Sequence, residues 1–267
     1  PDDQVMDPVI EGETPFLETT TVTITCATEG AEIRYTLNGQ DPTAESTLYE
    51  EPFTLTESAT VKAIAIKNGN SSAIATKVFE ALPRVATIAE YLVFDDNDVF
   101  VFTGDAVVTY QNGSNTWIKD ETGYALIYAS GQPEYSNGDV IPAGWCGKKT
   151  TYNNVPEIIN PTGLTVAIET GEATPVVKTV AEITAGDVNA YYQINDIALS
   201  SNSNNFNIVD GNNELVGYNK FDIAMPEDVE DKTFNVVGVI TIYNNKPEFY
   251  IISYEEILQP VVLNRRS

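Results

Sequence analysis

The sequence predicts an all-β protein of three units, a small antiparallel sandwich followed by a five-stranded barrel that occurs twice. Short segments alternate apolar with polar or small residues at period two, the signature of half-buried strands. Asn38-Gly39, Asp41-Pro42 and Asn68-Gly69 punctuate them as turns. From about Val85 the chain also repeats itself. Thr87-Ile88-Ala89-Glu90 returns as Thr179-Val180-Ala181-Glu182, Trp117-Ile118-Lys119-Asp120 as Asn207-Ile208-Val209-Asp210, and Tyr152-Asn153-Asn154-Val155-Pro156-Glu157 as Tyr243-Asn244-Asn245-Lys246-Pro247-Glu248. The offsets are 92, 90 and 91 residues. That period is too long for a solenoid and suits a duplicated small domain, so the expected boundaries are 1–84, 85–176 and 177–267, with a flexible tail over 258–267.

In the first unit, Thr21–Thr25, Ala31–Thr36 and Thr60–Ile66 read as strands of a sandwich. Around them Tyr35-Thr36-Leu37-Asn38-Gly39-Gln40-Asp41-Pro42-Thr43, then Ser46, Tyr49, Pro52-Phe53 and Val61–Ala65, resemble the chitobiase C-terminal-like family over about residues 8 to 81. The resemblance implies an immunoglobulin-like or fibronectin-III-like accessory sandwich with no catalytic role. It also implies an extracytoplasmic protein, secreted or anchored at the cell surface through a segment preceding residue 1.

Each repeat opens on an amphipathic stretch, Val85–Leu92 and Val177–Ile183, expected to form a helical turn. Strands follow at Val99–Phe102, Ala106–Tyr110, Thr116–Asp120 and Tyr124–Tyr128, with a late pair around Ile141 and Tyr152. A strand leading into Asp120-x-x-Gly123 and a second strand, then Gly138-Asp139, resembles the OB-fold, here in tandem over about residues 85 to 256. The second copy keeps Asp210 and Gly211 but moves the glycine next to the aspartate.

Charge and composition narrow the function. Acidic residues outnumber basic ones 39 to 14, for a net charge of −25, and the excess is even: −10 over residues 1–83, −8 over 84–176 and −7 over 177–267. Such a field repels nucleic acid, so single-stranded nucleic-acid binding on an OB-fold is disfavoured. Histidine is absent, which removes the commonest general base and metal ligand and every Ser-His-Asp or Cys-His arrangement. No phosphate-binding glycine loop opens a helix, and no apolar run approaches the ~18 residues that span a bilayer. The expectation is a protein that is not an enzyme, has no catalytic residues and no cofactor, and crosses no membrane within this chain. Cys26 and Cys146 fall in different units, which argues against a disulfide framework or a zinc site.

Candidate binding residues come from strand parity. Phe206 and Ile208 alternate with Asn207 and should point inward, so Trp117, in the place of Asn207, should face a ligand or else pack against a neighbouring domain or loop. With the tyrosine-rich stretch Tyr124, Tyr128 and Tyr135 it forms the candidate ligand site, for a glycan or a surface protein. The competing reading is a structural spacer for a partner domain. Trp145 is expected in the core, although Lys148-Lys149 beside it, with Tyr152 following closely, would suit a charged stacking platform. Asp95, Asp96 and Asp98 are a weak metal candidate, since their spacing lacks the alternation and glycine of a calcium loop and reads first as a solvated turn. The Asn-Asn-x-Pro-Glu repeats read as hairpin turns that restart a strand at Pro-Glu.

Overall fold

The computed structural model describes residues 4–167, 172–202 and 205–258, so most of the predicted tail, residues 259–267, lies outside the described residues. Its contacts separate between Pro83 and Arg84 into two compact units. The chain is all-β, with an immunoglobulin-like sandwich followed by duplicated OB-like barrels.

The first unit holds β1 (Val9–Glu11), β2 (Thr20–Thr25), β3 (Glu32–Thr36), β4 (Thr47–Leu48), β5 (Phe53–Leu55), β6 (Ala59–Lys67), β7 (Asn70–Ser71) and β8 (Ala75–Phe79). One sheet runs β1-β2-β5; the other runs β4-β3-β6, with β7 and β8 both paired to β6. Alternation decides which side chains fill the gap between them. Thr20, Val22 and Ile24 of β2 and Val61, Ala63 and Ala65 of β6 are buried, and Ile10, Phe16, Leu55 and Phe79 complete the core. Tyr35 and Phe53 stack at 4.8 Å beside Tyr49 at its margin. Asn68-Gly69 turns β6 into β7 with positive φ at both positions, as a two-residue hairpin demands.

The second unit begins with β9 (Arg84–Val85) and α1 (Ile88–Leu92), followed by β10 (Val99–Phe102), β11 (Ala106–Asn112), β12 (Asn115–Lys119), β13 (Tyr124–Tyr128), β14 (Val140–Ile141), β15 (Trp145–Tyr152) and β16 (Val155–Thr162). The repeat follows as β17 (Val176–Val177), 3-10 turns at Val180–Glu182 and Ala185–Asp187, β18 (Tyr191–Asn202), β19 (Asn205–Asp210), β20 (Asn213–Tyr218), β21 (Thr233–Tyr243) and β22 (Lys246–Ile257). In the repeat, β18 pairs with β19 through its second half and with β21 through its first, closing a five-stranded barrel β18-β19-β20-β22-β21. In the first copy two strands divide the role of β18 between them, β10 pairing with β15 and β11 with β12. The parallel pairings β13–β16 and β20–β22 correspond residue for residue.

The repeated sequence motifs have structural explanations. Thr87 caps α1, its Oγ1 accepting from the Glu90 amide, while the Glu90 carboxylate accepts from the Ala86 amide; Glu182 and Thr179 form a reciprocal box at the same place in the second copy. The aspartate that closes the Trp117–Asp120 motif binds the start of the helical segment. Asp120 Oδ2 accepts from the Ile88 amide at 2.6 Å, and its Oδ1 accepts from the Thr122 amide and hydroxyl and the Gly123 amide. Asp210 Oδ2 likewise accepts from the Val180 amide, at 3.3 Å. Gly147 and Gly238 sit at matching bulges, where an added methyl would overlap Ile158 in one copy and Phe249 in the other.

Trp145 fills the first barrel's core, fully buried and stacked on Phe102 at 4.7 Å. The charged platform considered for Lys148-Lys149 is not formed. Lys149 is buried, and its ammonium donates to the Leu92 and Phe94 carbonyls left open beyond α1.

Asp120→Ala leaves the Ile88 amide unpaired inside the fold and is expected to lower the unfolding free energy by about 1–3 kcal/mol in urea titration. Asp210→Ala, with the longer bond, should cost less.

Candidate functional site

The face of β12 and β13 that points away from their own core is covered. Thr116 and Ile118 turn inward, and Trp117 turns outward as parity predicts. Yet Trp117 is only 3 % exposed. It is buried with Leu126 and Val155 against Tyr191, Val239 and Ile242 of the second repeat. Phe221, in the loop after β20, contacts both Tyr110 and Trp117, at 4.9 and 5.7 Å between ring centroids. The expectation that Trp117 faces a ligand is therefore corrected in favour of the neighbour-packing alternative: the second repeat supplies the apolar surface that an exposed indole would otherwise offer to a ligand.

The repeats show why this happens at one end only. Of the covered residues, Tyr110, Trp117, Tyr124 and Val155 correspond by strand register to Ser200, Asn207, Glu214 and Lys246, while Leu126 keeps an apolar counterpart in Val216, on a face that no third barrel covers among the described residues. Conversely, Tyr191 and Val239, which do the covering, correspond to Val99 and Lys148. The seam is thus head-to-tail, with different surfaces meeting, and side chains are apolar where they meet.

The other predicted ligand residues are scattered. Tyr135 is buried in the first barrel's core, where its hydroxyl donates to the Thr165 carbonyl; burial and Asp139 push the hydroxyl pKa up to about 12. Its expected place at a ligand surface is corrected too, because the loop after β13 folds inward there. Tyr124 is half-buried beside Tyr192 in the seam, and burial raises its hydroxyl pKa. Tyr128, 49 % exposed, lies at the far end of β13. Asp95, Asp96 and Asp98 form a turn: Asp98 accepts from the Asp95 amide, Asp96 accepts from the Thr151 hydroxyl, and Asn97 takes φ of 81°. Among the described residues no group of three or more His, Cys, Asp or Glu is placed to hold a metal ion.

What the seam does bring together is the duplicated Tyr-Asn-Asn turn. Asn153-Asn154 and Asn244-Asn245 each have positive φ at both positions, joining β15 to β16 and β21 to β22 through two-residue hairpins. These are the turns expected from the sequence, and the structure adds that the two touch. Asn154 Nδ2 donates to Asn245 Oδ1 at 2.8 Å. Asn189, buried at the seam, donates to the Pro156 carbonyl at 3.0 Å just behind them. Beside the paired tips, Tyr152 and Tyr243 are 66 % and 60 % exposed. Tyr152 and Tyr243 are the last residues of β15 and β21, where an outward-pointing tyrosine is an ordinary surface residue; beyond the place of Tyr152 beside Lys148-Lys149, their duplication next to Asn-Asn is the available signal.

The glutamates that follow, Glu157 and Glu248, are half-buried, and burial pushes both carboxyls above the usual range.

Comparison with known proteins adds a family for the first unit. Residues 12–76 match the model of the chitobiase/beta-hexosaminidase C-terminal domain. No curated protein matches the chain. Among solved structures, the p204 HINb domain aligns with a TM-score of 0.33 and 11 % identity, over 61 % of this chain and 100 % of its own. The Ifi202 HINa domain, solved with a 20-base-pair double-stranded DNA, aligns at 0.29 and 10 %, over 59 % of this chain and 98 % of its own. Likeness at that level carries no argument about ligands.

Replacing Trp117 with the residue of the other repeat, Trp117→Asn, should cost about 3–5 kcal/mol of stability in urea titration, in the range of large-to-small core changes. A cost under about 1 kcal/mol would mean that the seam is incidental. For Glu157 the sign is opposite. An acid with a raised folded-state pKa costs stability while ionised, and the cost disappears as pH falls through that pKa. Glu157→Gln is therefore expected to raise the melting temperature at pH 7 and to lose that advantage by about pH 4. A difference that did not change with pH would show the carboxyl to be fully solvated.

Proposed function

We infer that this chain is a non-catalytic recognition module of an extracytoplasmic protein, with carbohydrate as its ligand class. The observation that carries the reading is the match of residues 12–76 to the C-terminal domain of chitobiase/beta-hexosaminidase. The tandem barrels, proposed here to divide between residues 176 and 177, supply a recognition surface of their own. OB-folds bind oligosaccharides as well as oligonucleotides, through the face of strands two and three and through the loops next to them.

Charge and surface chemistry favour the sugar. Stacking bases on an OB-fold needs exposed aromatics and a basic groove. On the first barrel most of that face is buried under the second and leaves the ring of Tyr128 exposed. On the second, one exposed ring, Tyr218, and one cation, Lys246, stand among Ser200, Asn207, Glu214 and Val216, so neither barrel offers a row of rings in a basic groove. A net charge of −25 opposes any polyanion further. No helix among the described residues is long and apolar enough to cross a membrane.

The purified chain, applied at physiological salt to an array carrying oligosaccharides and single- and double-stranded oligonucleotides, is expected to bind sugars and not nucleic acid. Salt-sensitive binding to oligonucleotides alone would contradict this reading, and silence on every sugar would favour a structural spacer.

A further inference from the structure

Resting on that reading, we propose that the paired Tyr-Asn-Asn turns form one composite site for a neutral oligosaccharide, with Tyr152 and Tyr243 as its two stacking faces and the asparagine amides as its hydrogen-bonding groups. Neither repeat builds this site alone. The hydrogen bond between Asn154 and Asn245 joins the tips, and two Cα steps of about 3.8 Å on each side, with the two asparagine side chains, bound the separation of the tyrosine Cα atoms at about 25 Å. A short sugar chain reaches across that distance.

The chemistry of the turns fits that ligand. A pyranose offers a face of C–H groups and an edge of hydroxyls: the first packs on an electron-rich ring face, and the second pairs with groups that both donate and accept, as a carboxamide does. Here two rings, well exposed, stand among four asparagines, and all four asparagines are exposed. The nearest charge of the turns themselves is Lys246, in the place held by Val155 in the first copy. A patch of two aromatics and amides is too polar for an obligate protein interface, and an acidic chain is a poor partner for phosphate or sulfate esters.

The geometry is also fixed before a ligand arrives. Two pairs of consecutive asparagines in the left-handed region define the hairpins, the tips are bonded to each other, and Asn189 ties Pro156 to the second repeat directly behind them. A site of this kind loses little conformational freedom on binding.

The test uses the whole chain on an array of immobilised neutral oligosaccharides, with affinities for the hits measured by titration calorimetry. Tyr152→Ala and Tyr243→Ala, both exposed and so expected to leave the melting temperature unchanged, should each weaken binding about tenfold, and the double variant about a hundredfold. Tyr152→Phe keeps the ring face and should retain affinity, and Tyr218→Ala, at the opposite end of its strand from the tips, should bind as wild type does. Wild-type binding that survives in the double variant would overturn the site and leave the recognition reading intact. Wild-type silence on all sugars would overturn both, and an equal loss in Tyr218→Ala would overturn the site by showing that the effect is not local.

Discussion

The second unit depends on the burial of Trp117. Removing roughly 200 Å² of indole from water is worth on the order of 5 kcal/mol, comparable with the whole stability of a small domain. The partners that cover it, Tyr191, Val239, Ile242 and Phe221, come from the other repeat, so the energy is realised only when both barrels are folded and docked. Polar contacts then set the register of the docking. Asn189 to Pro156 and Asn154 to Asn245 are single hydrogen bonds of modest individual worth, but each has one geometry, where an apolar surface alone tolerates sliding.

Duplication followed by divergence explains the rest of the surface. The two copies share their cores, their helical caps and their turns, because each barrel needs these to fold. They differ on their outer faces, because the head-to-tail seam uses one face of the first copy and a different face of the second. Tyr110, Trp117, Tyr124 and Val155 are apolar or aromatic where they are covered, and Ser200, Asn207, Glu214 and Lys246 are polar on the matching face of the second copy. A chain with Trp117 at both positions would carry an open apolar end, and heterologous contacts of that kind propagate into filaments. The polar residues on the second copy make that face a poor match for the same apolar seam.

Much of this is legible in the residues. The strands follow period-two alternation, the duplication follows from three motifs at nearly one offset, and the opening helical turns follow from the amphipathic stretches Val85–Leu92 and Val177–Ile183. The outward direction of Trp117 is legible too, since parity needs only the strand. What parity cannot supply is the covering partner, which lies more than about 70 residues away in sequence. Tyr135 and Lys149 mislead for a related reason. Tyrosine and lysine carry polar ends that suggest a surface, but here each end meets carbonyl oxygens inside the fold, at Thr165 for one and at Leu92 and Phe94 for the other. The exposed tyrosines beside the turns are only partly legible: Tyr152 stands out next to Lys148-Lys149, but nothing of the kind flanks Tyr243, and a hairpin accounts fully for Asn-Asn and gives the preceding residue no part in the turn.

If the seam fixes the two barrels as one body, the twin turns are a single surface and not two loops that meet by chance. Residual dipolar couplings measured on the backbone amides of residues 85–167 and 172–257 test this most directly. Both sets are predicted to fit one alignment tensor, with the Asn154 side-chain amide protons slowed in exchange by their bond to Asn245. Two independent tensors, or free exchange at Asn154, would show that the barrels move separately and that the composite surface does not exist.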